Sequence, residues 1–362
     1  MASSATEQQS DNGPVRVAVL GYGLAGSVFH APLIAATPGL RVAAIVTGSP
    51  ERQARARHDY PDATIYATAD DLWRDAAQVD VAVVATPNRS HVALGLAALE
   101  AGLHLVVDKP VAPGVSGAER LLAASQRTGK HFTVFQNRRW DNDFLTLRQV
   151  LAEGALGAIT RFESRYERYR PTPKADVWRE RGDPEDAGGL LFDLGAHVID
   201  QALTLFGRPT QVYAEIERRR AGVAVDDDTF VALRFPDGVL AHLWVSAVAP
   251  LGGPRFRALG LRGGYEKYGL DPQEEQLQAG LRPGDAGWGV EPRDQWGRLK
   301  TTLPGGLTLD GQVETLPGAY EQFYAQLRDA ITSGGALPVD PADAIAALRV
   351  IEAARQLSLI HI

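Results

Sequence analysis

The chain has no cysteine and one methionine. Disulfides, thiolate zinc sites, iron–sulfur clusters and a cysteine nucleophile are excluded on that ground alone. Lysine is scarce as well: five lysines stand against 32 arginines, so a lysine at a special place was not chosen for charge alone. Basic residues are outnumbered, 37 Lys+Arg to 44 Asp+Glu, a formal net charge of −7. That balance argues against a nucleic-acid surface built on excess positive charge. No run approaches the roughly 18 apolar residues of a membrane span. Residues 1–13 lack the basic start and apolar centre of a signal peptide and read as a disordered tail. A soluble, cytoplasmic protein without membrane or nucleic-acid partners is expected. One local absence is informative: from Ser27 to Pro50 there is no acidic residue.

With 362 residues, 45% of them hydrophobic, the chain has room for two domains at about 100–200 residues each. The first half alternates. Apolar, β-branched runs lie at Val15–Leu20, Arg41–Val46, Val79–Ala85, Leu103–Val107 and His131–Phe135. Helical stretches fall between them at Leu24–Ala36, Pro50–His58, His91–Ala101 and Ser116–Thr128. Strands apolar throughout, alternating with helices, predict a parallel sheet covered on both faces, a doubly wound α/β domain over 14–136. After Asn137 the texture changes. A helix at Asp143–Ala152, a strand at Ile159–Tyr169, a loop at Arg170–Gly189 and an apolar helix at Leu190–Phe206 lead into strand-like runs at Gln211–Arg218, Thr229–Phe235, Val239–Ala247 and Arg255–Gly260. Strands in succession predict a largely antiparallel open sheet and an α+β domain over 137–362. Tyr268–Gly306 reads as a surface excursion, and helices at Tyr320–Ile331 and Pro341–Leu357 close the chain.

Five motifs carry chemistry. Gly21-Tyr22-Gly23-Leu24-Ala25-Gly26 follows the first strand and opens a helix. Such a turn lets backbone approach a pyrophosphate at a helix N-terminus, the Rossmann fingerprint for a dinucleotide. A bare tight turn is the competing explanation. At the end of the second strand an NAD site usually carries Asp or Glu for the ribose 2′-hydroxyl. Here stand Thr47, Ser49 and Arg52 instead, a hydroxyl and guanidinium set that suits a 2′-phosphate. NADP(H) is therefore expected over NAD(H). Thr86-Pro87-Asn88 and His91, at another strand end, are further candidates for the cofactor, although Asn88 could equally cap the next helix. Asp108-Lys109-Pro110 follows the next strand. A lysine there can bond a substrate oxygen, or simply be solvated. Finally, Asp193 and His197 are spaced i, i+4 in an apolar helix, a carboxylate and an imidazole on one face that suit proton transfer or form a buried polar pair. No third ligand makes this a metal site.

The order of these motifs resembles the glucose–fructose oxidoreductase/inositol dehydrogenase (Gfo/Idh/MocA) family over essentially the whole chain. Gln136-Asn137-Arg138-Arg139-Trp140-Asp141 and the Phe192–Gln201 stretch resemble a subgroup that includes NADP-dependent scyllo-inositol dehydrogenases. The resemblance implies nicotinamide-dependent interconversion of a secondary alcohol and a ketone on a polyol or sugar, in a homodimer or homotetramer formed through the C-terminal sheet. It maps the family's lysine onto Lys109, its aspartate onto Asp193 and its histidine onto His197. Asp108 stands where glutamate is common. Arg139, Trp140, Trp178 and Arg179 are weaker candidates for lining the substrate pocket. Two other readings remain: a non-catalytic NADP(H)-binding regulator, and a member using the dinucleotide transiently in sugar epimerisation or glycoside cleavage.

Overall fold

A computed structural model describes residues 13–173, 180 and 182–358. Two sheets organise it. The first has six parallel strands in the order β3-β2-β1-β4-β5-β6. These are β1 (Val15–Leu20), β2 (Leu40–Val46), β3 (Thr64–Tyr66), β4 (Val81–Val84), β5 (His104–Asp108) and β6 (Phe132–Phe135). Their centres are buried on both faces because helices cover both sides of the sheet. The reversal of strand order between β1 and β4 opens a crevice at the carboxyl ends, where such folds bind ligands.

The second sheet has eight strands, β14-β13-β12-β11-β7-β10-β9-β8. They are β7 (Ile159–Glu167), β8 (Gln211–Glu217), β9 (Asp228–Arg234), β10 (Leu240–Ser246), β11 (Phe256–Gly260), β12 (Gly263–Lys267), β13 (Gly297–Thr302) and β14 (Thr308–Val313). Neighbours run antiparallel except the central pair β7 and β10, which are parallel. The helix ending at Phe206 and the C-terminal helix Pro341–Ser358 pack on it, joining Ile199, Leu203, Ile351 and Ala354 to Phe162, Leu233 and Leu243 in one core.

Two features depart from the sequence expectation. Tyr268–Gly306 is not a plain surface excursion. It contains the helix Gln273–Gln278 and strand β13, and it drives Leu277 and Trp288 into the core beside Val17, Val19 and Phe135 of the first sheet. Its polar composition hides a buried Lys267–Glu291 pair at 3.0 Å. In addition, the helix Glu321–Ser333 returns to the first sheet, where Tyr320, Phe323, Tyr324 and Leu327 are fully buried. Among the described residues, only the stretch Pro184–Phe206 is long and apolar enough to cross a membrane, and most of it is buried within the fold.

Candidate active site

The crevice over the carboxyl ends of β1, β2 and β4 is a cleft of about 510 Å³. Its floor is the glycine turn. Gly21 has φ +96°, and a Cβ there would lie 2.6 Å from the Ala85 carbonyl oxygen. A Cβ on Gly26 would lie 1.9 Å from the Gly21 carbonyl oxygen, so this glycine lets the helix Ala25–Ala36 sit against its own turn. Gly23 differs. Its nearest neighbour would be a terminal nitrogen of Arg52 at 3.8 Å, so the backbone here faces open cleft. Two glycines serve packing and one serves access, the division of labour a dinucleotide-binding turn requires.

Thr47, Arg52, Thr86, Pro87, Asn88, Asp108 and Lys109 line the same cleft, together with Leu24 and Ala25. Ser49 does not. It caps the helix Pro50–Asp59, its hydroxyl accepting from the Arg52 N–H at 3.4 Å. His91 is also absent from the cleft. It is buried between two carbonyl oxygens, Thr86 O at 2.8 Å from Nε2 and Pro110 O at 2.9 Å from Nδ1. Burial pushes its pKa down, and its role is to tie the Thr86 turn to the segment after β5. The Asn88 amide donates to the Asp186 carbonyl at 2.8 Å, and Arg89 pairs with Asp186 at 2.6 Å and Asp183 at 2.7 Å. That turn thereby joins the first half to the second. Thr68, on the far wall, had no motif to announce it.

Lys109 closes the cleft at the end of β5. Asp108 accepts from the Lys109 N–H at 2.8 Å and has His30 Nε2 at 3.8 Å, while His30 Nδ1 meets the Tyr324 hydroxyl at 2.6 Å. Burial opposes charge on Asp108, yet His30, Lys109 and His91 outweigh it and hold the carboxyl below its ordinary range. The Lys109 ammonium donates to Asp193 twice, to Oδ1 at 2.9 Å and to the backbone carbonyl at 2.6 Å. Asp193 sits in a π-type turn, Leu191–Gly195, at the head of the α-helix Ala196–Phe206. Gly189 permits the approach to that turn: its φ is +96°, and a Cβ would collide with the Asp226 carboxylate at 2.0 Å. Asp226 in turn accepts from the Leu191 N–H at 2.7 Å and anchors the turn.

His197 follows one turn later and is nearly inaccessible, with Nδ1 lacking any hydrogen-bond partner. Burial and the cations of Lys109, Arg138 and Arg255 push its pKa well below that of a free imidazole. It is a neutral imidazole in an electropositive setting. Of the neighbouring candidates, Arg139 is committed to buried Asp200 at 2.7 and 2.8 Å and to Asp343 at 3.2 Å. Trp140 is buried against Phe323. Arg139 thus ties elements within the second half, and Trp140 packs into the core it shares with Val17, Val19 and Phe135 of the first sheet. The residue of that motif beside His197 is instead Arg138, which pairs with Glu274 at 2.9 Å. Trp178 and Arg179 lie outside the described residues. Among the described residues, no group of three or more His, Asp or Glu could hold a metal.

Comparison with known proteins agrees with this architecture. Residues 15–136 match the oxidoreductase family with NAD-binding Rossmann fold, and residues 144–266 match the GFO/IDH/MocA C-terminal domain. The chain is 41% identical over 344 residues to the uncharacterized oxidoreductase YdgJ of Escherichia coli, covering 95% of each. It is 37% identical over 347 residues to the scyllo-inositol 2-dehydrogenase (NADP(+)) IolW of Bacillus subtilis, covering 95% of this chain and 94% of that one. The solved structure of the oxidoreductase YvaA of Bacillus subtilis superposes with a TM-score of 0.90 at 34% identity, covering 96% of this chain and 97% of that one. The chain is an oxidoreductase of the Gfo/Idh/MocA family.

Proposed function

We propose that the protein interconverts a secondary alcohol and a ketone on a polyol or sugar, inositol-like in size, with NADP(H) preferred and NAD(H) accepted less well. One observation carries this reading. Lys109 belongs both to the wall of the dinucleotide cleft and, through Asp193, to the second half of the molecule. A reacting carbon held beside it lies between the two halves. The similarity to IolW favours the polyol class.

When bound along the glycine turn, the dinucleotide supplies the acceptor for hydride in oxidation and its donor in reduction. The protein handles the proton. In oxidation, Lys109 donates a hydrogen bond to the reacting oxygen and stabilises its negative charge as the C–H pair departs. His197, kept neutral by burial and by its cationic neighbours, takes up the hydroxyl proton, and the O–H electron pair becomes the second bond of the carbonyl. Asp193 aligns the ammonium and balances its charge. Reduction runs the same steps backwards.

The cofactor preference rests on Arg52. Its guanidinium stands over Gly23 at the cleft mouth, and no carboxylate between Ser27 and Pro50 repels a 2′-phosphate. We further propose a homodimer or homotetramer formed through the outer face of the eight-stranded sheet. There Phe230 meets Trp244 at 5.0 Å and Tyr213 at 6.4 Å, with Arg165 3.9 Å over the Trp244 ring.

The test offers inositols, hexoses and keto-sugars with NADP or NAD and follows absorbance of the reduced nicotinamide. Turnover of a cyclic polyol with NADP is expected. No turnover of any polyol would favour the regulator. Tightly retained cofactor without net release of NADPH would favour epimerisation or glycoside cleavage.

A further inference from the structure

The arginines of the protein interior are paired. Arg138 meets Asp141 and Glu274, Arg139 meets Asp200, Arg220 meets Asp227, and Arg255 meets Asp143. Arg168 is different. It is half-buried, yet among the described residues its guanidinium makes no hydrogen bond or ion pair. Leaving a guanidinium partly desolvated without a partner costs stability unless something else satisfies it.

Its position is fixed by backbone. Arg168 directly follows β7, where its N–H donates to the Ser246 carbonyl at 3.0 Å and its carbonyl accepts from Ala249 N–H at 3.2 Å. Beyond it the parallel pairing with β10 gives way to a single antiparallel bridge, Tyr169 to Val248, in which Arg170 N–H donates to the Ala247 carbonyl at 2.7 Å. Arg168 and Arg170 still bond to the same neighbouring strand, so the chain stays extended through Arg168. Side chains two apart on a strand share a face. Phe162, Ser164 and Tyr166 are the buried face of β7, and Arg168 is the next residue on it. Tyr166 lies under the guanidinium groups of Arg138 at 5.0 Å and Arg255 at 4.2 Å. Arg168 therefore stands one step beyond the layer holding Arg138, towards the open end of the sheet. The charges that act on it are those of Arg170, Asp193, Arg138 and Glu274. Asp193 is the partner of Lys109, and Glu274 the partner of Arg138.

A site for a polyol ring must both donate to and accept from its hydroxyls, since each hydroxyl does both. Glu274 is about a third exposed; one oxygen accepts from Arg138 at 2.9 Å and the other from Gln278 at a long 3.5 Å, which leaves lone pairs for further donors. Arg168 offers up to five N–H donors with no internal acceptor. We propose that Arg168 and Glu274 form a distal specificity subsite, binding the polyol hydroxyls on the side of the ring away from the carbon at Lys109. The inference rests on the polyol reading above. It adds the residues that distinguish a polyhydroxylated ring from a simple alcohol.

Arg168→Ala and Arg168→Lys test it, with scyllo-inositol and a short vicinal diol as alternative substrates and NADP saturating. For Arg168→Ala, kcat/KM for the inositol falls at least tenfold, carried by KM rather than kcat. The lysine variant lies between alanine and wild type. For the diol, which has no distal hydroxyls, the same substitution changes kcat/KM by less than threefold. Glu274→Gln also raises the inositol KM. Equal losses on both substrates, accompanied by a lower Tm, would show a structural role and overturn the proposal. An inositol KM within twofold of wild type would overturn it while leaving the polyol reading intact. Absence of turnover with any polyol would overturn both.

Discussion

Gly23 and Gly26 lie three residues apart in one turn, and alanine at each has opposite consequences. At Gly26 a Cβ meets the Gly21 carbonyl oxygen at 1.9 Å and its carbon at 3.0 Å, whereas ordinary contact begins at 3.4 Å. The helix must retreat by about 1.5 Å, the difference between 3.4 and 1.9. It cannot do so freely, because Gly21 N–H is held by the Val46 carbonyl at 2.9 Å and the helix buries Leu33 and Ile34. Over-packing against backbone costs about 3 kcal/mol, the upper end of the usual range. For a domain of this size that lowers Tm by about 6–12 °C. At Gly23 the new methyl meets only the mobile end of Arg52 at 3.8 Å, so stability changes by roughly 0.5 kcal/mol or less. The methyl instead occupies the space through which a pyrophosphate reaches the backbone. Dinucleotide affinity then falls at least about tenfold, equivalent to about 1.4 kcal/mol. Thermal melts and fluorescence titration with NADPH separate the two effects. A Gly23→Ala protein with unchanged affinity would refute the placement of the dinucleotide, and a Gly26→Ala protein with unchanged Tm would refute the packing argument.

Other outcomes follow from the same geometry. Arg52→Ala weakens NADP roughly 10–150-fold in Kd, the equivalent of about 1.5–3 kcal/mol for a charge-assisted phosphate contact, while NAD changes little. Equal use of both cofactors by the wild type would contradict the assignment. Because His197 must be neutral to accept a proton and its pKa lies below that of a free imidazole, kcat/KM for oxidation stays on its plateau through neutral pH and falls only at more acid pH. A loss already complete at pH 7 would exclude His197 as the base. Burial, with Asp143 adding to it and Arg138 opposing, pushes the Asp141 carboxyl up to about 7. The folded protein thus holds a proton that the unfolded chain releases from about pH 4 upward, so this group makes stability decline as pH rises towards 7 and level off above. Tm measured against pH should show that slope reduced in Asp141→Asn, and an unaltered slope would place its origin elsewhere.

The first sheet was legible because β1, β2, β4, β5 and β6 are apolar over most of their length, with polar residues such as Arg16, Arg41, His104 and Asp108 near their ends, the signature of strands covered on both faces. Strand β3 was not, since three half-exposed residues at a sheet edge carry no periodicity. Strands β12 to β14 escaped for a related reason. Sequences such as Gly263–Lys267 and Thr308–Val313 are rich in glycine or polar residues and largely uncovered, so no alternation marks them. The glycine turn, Lys109 and Asp193 stood out because each combines a residue type with a strand end or helix face. The neighbours Arg138, Arg139 and Trp140 could not be sorted in the same way. They occupy one 3-10 turn and point in different directions, and only the fold decides that Asp200 claims Arg139, leaving Arg138 beside His197. His91 carried the look of a site residue, but both its nitrogens are taken by backbone carbonyls. Arg168 has no motif around it, and its significance comes from the partner it lacks among the described residues.

In the proposed reaction Lys109, held by Asp193 across the two halves, stabilises the reacting oxygen at the end of the dinucleotide cleft. Lys109→Met keeps the side chain's length and apolar stem but removes the ammonium. The decisive measurement is kcat/KM of this variant against wild type for NADP-dependent polyol oxidation, with NADPH affinity and Tm recorded on the same preparations. A loss of about 10²–10⁴-fold is expected, with cofactor affinity and fold retained. Turnover within a few-fold of wild type would contradict it.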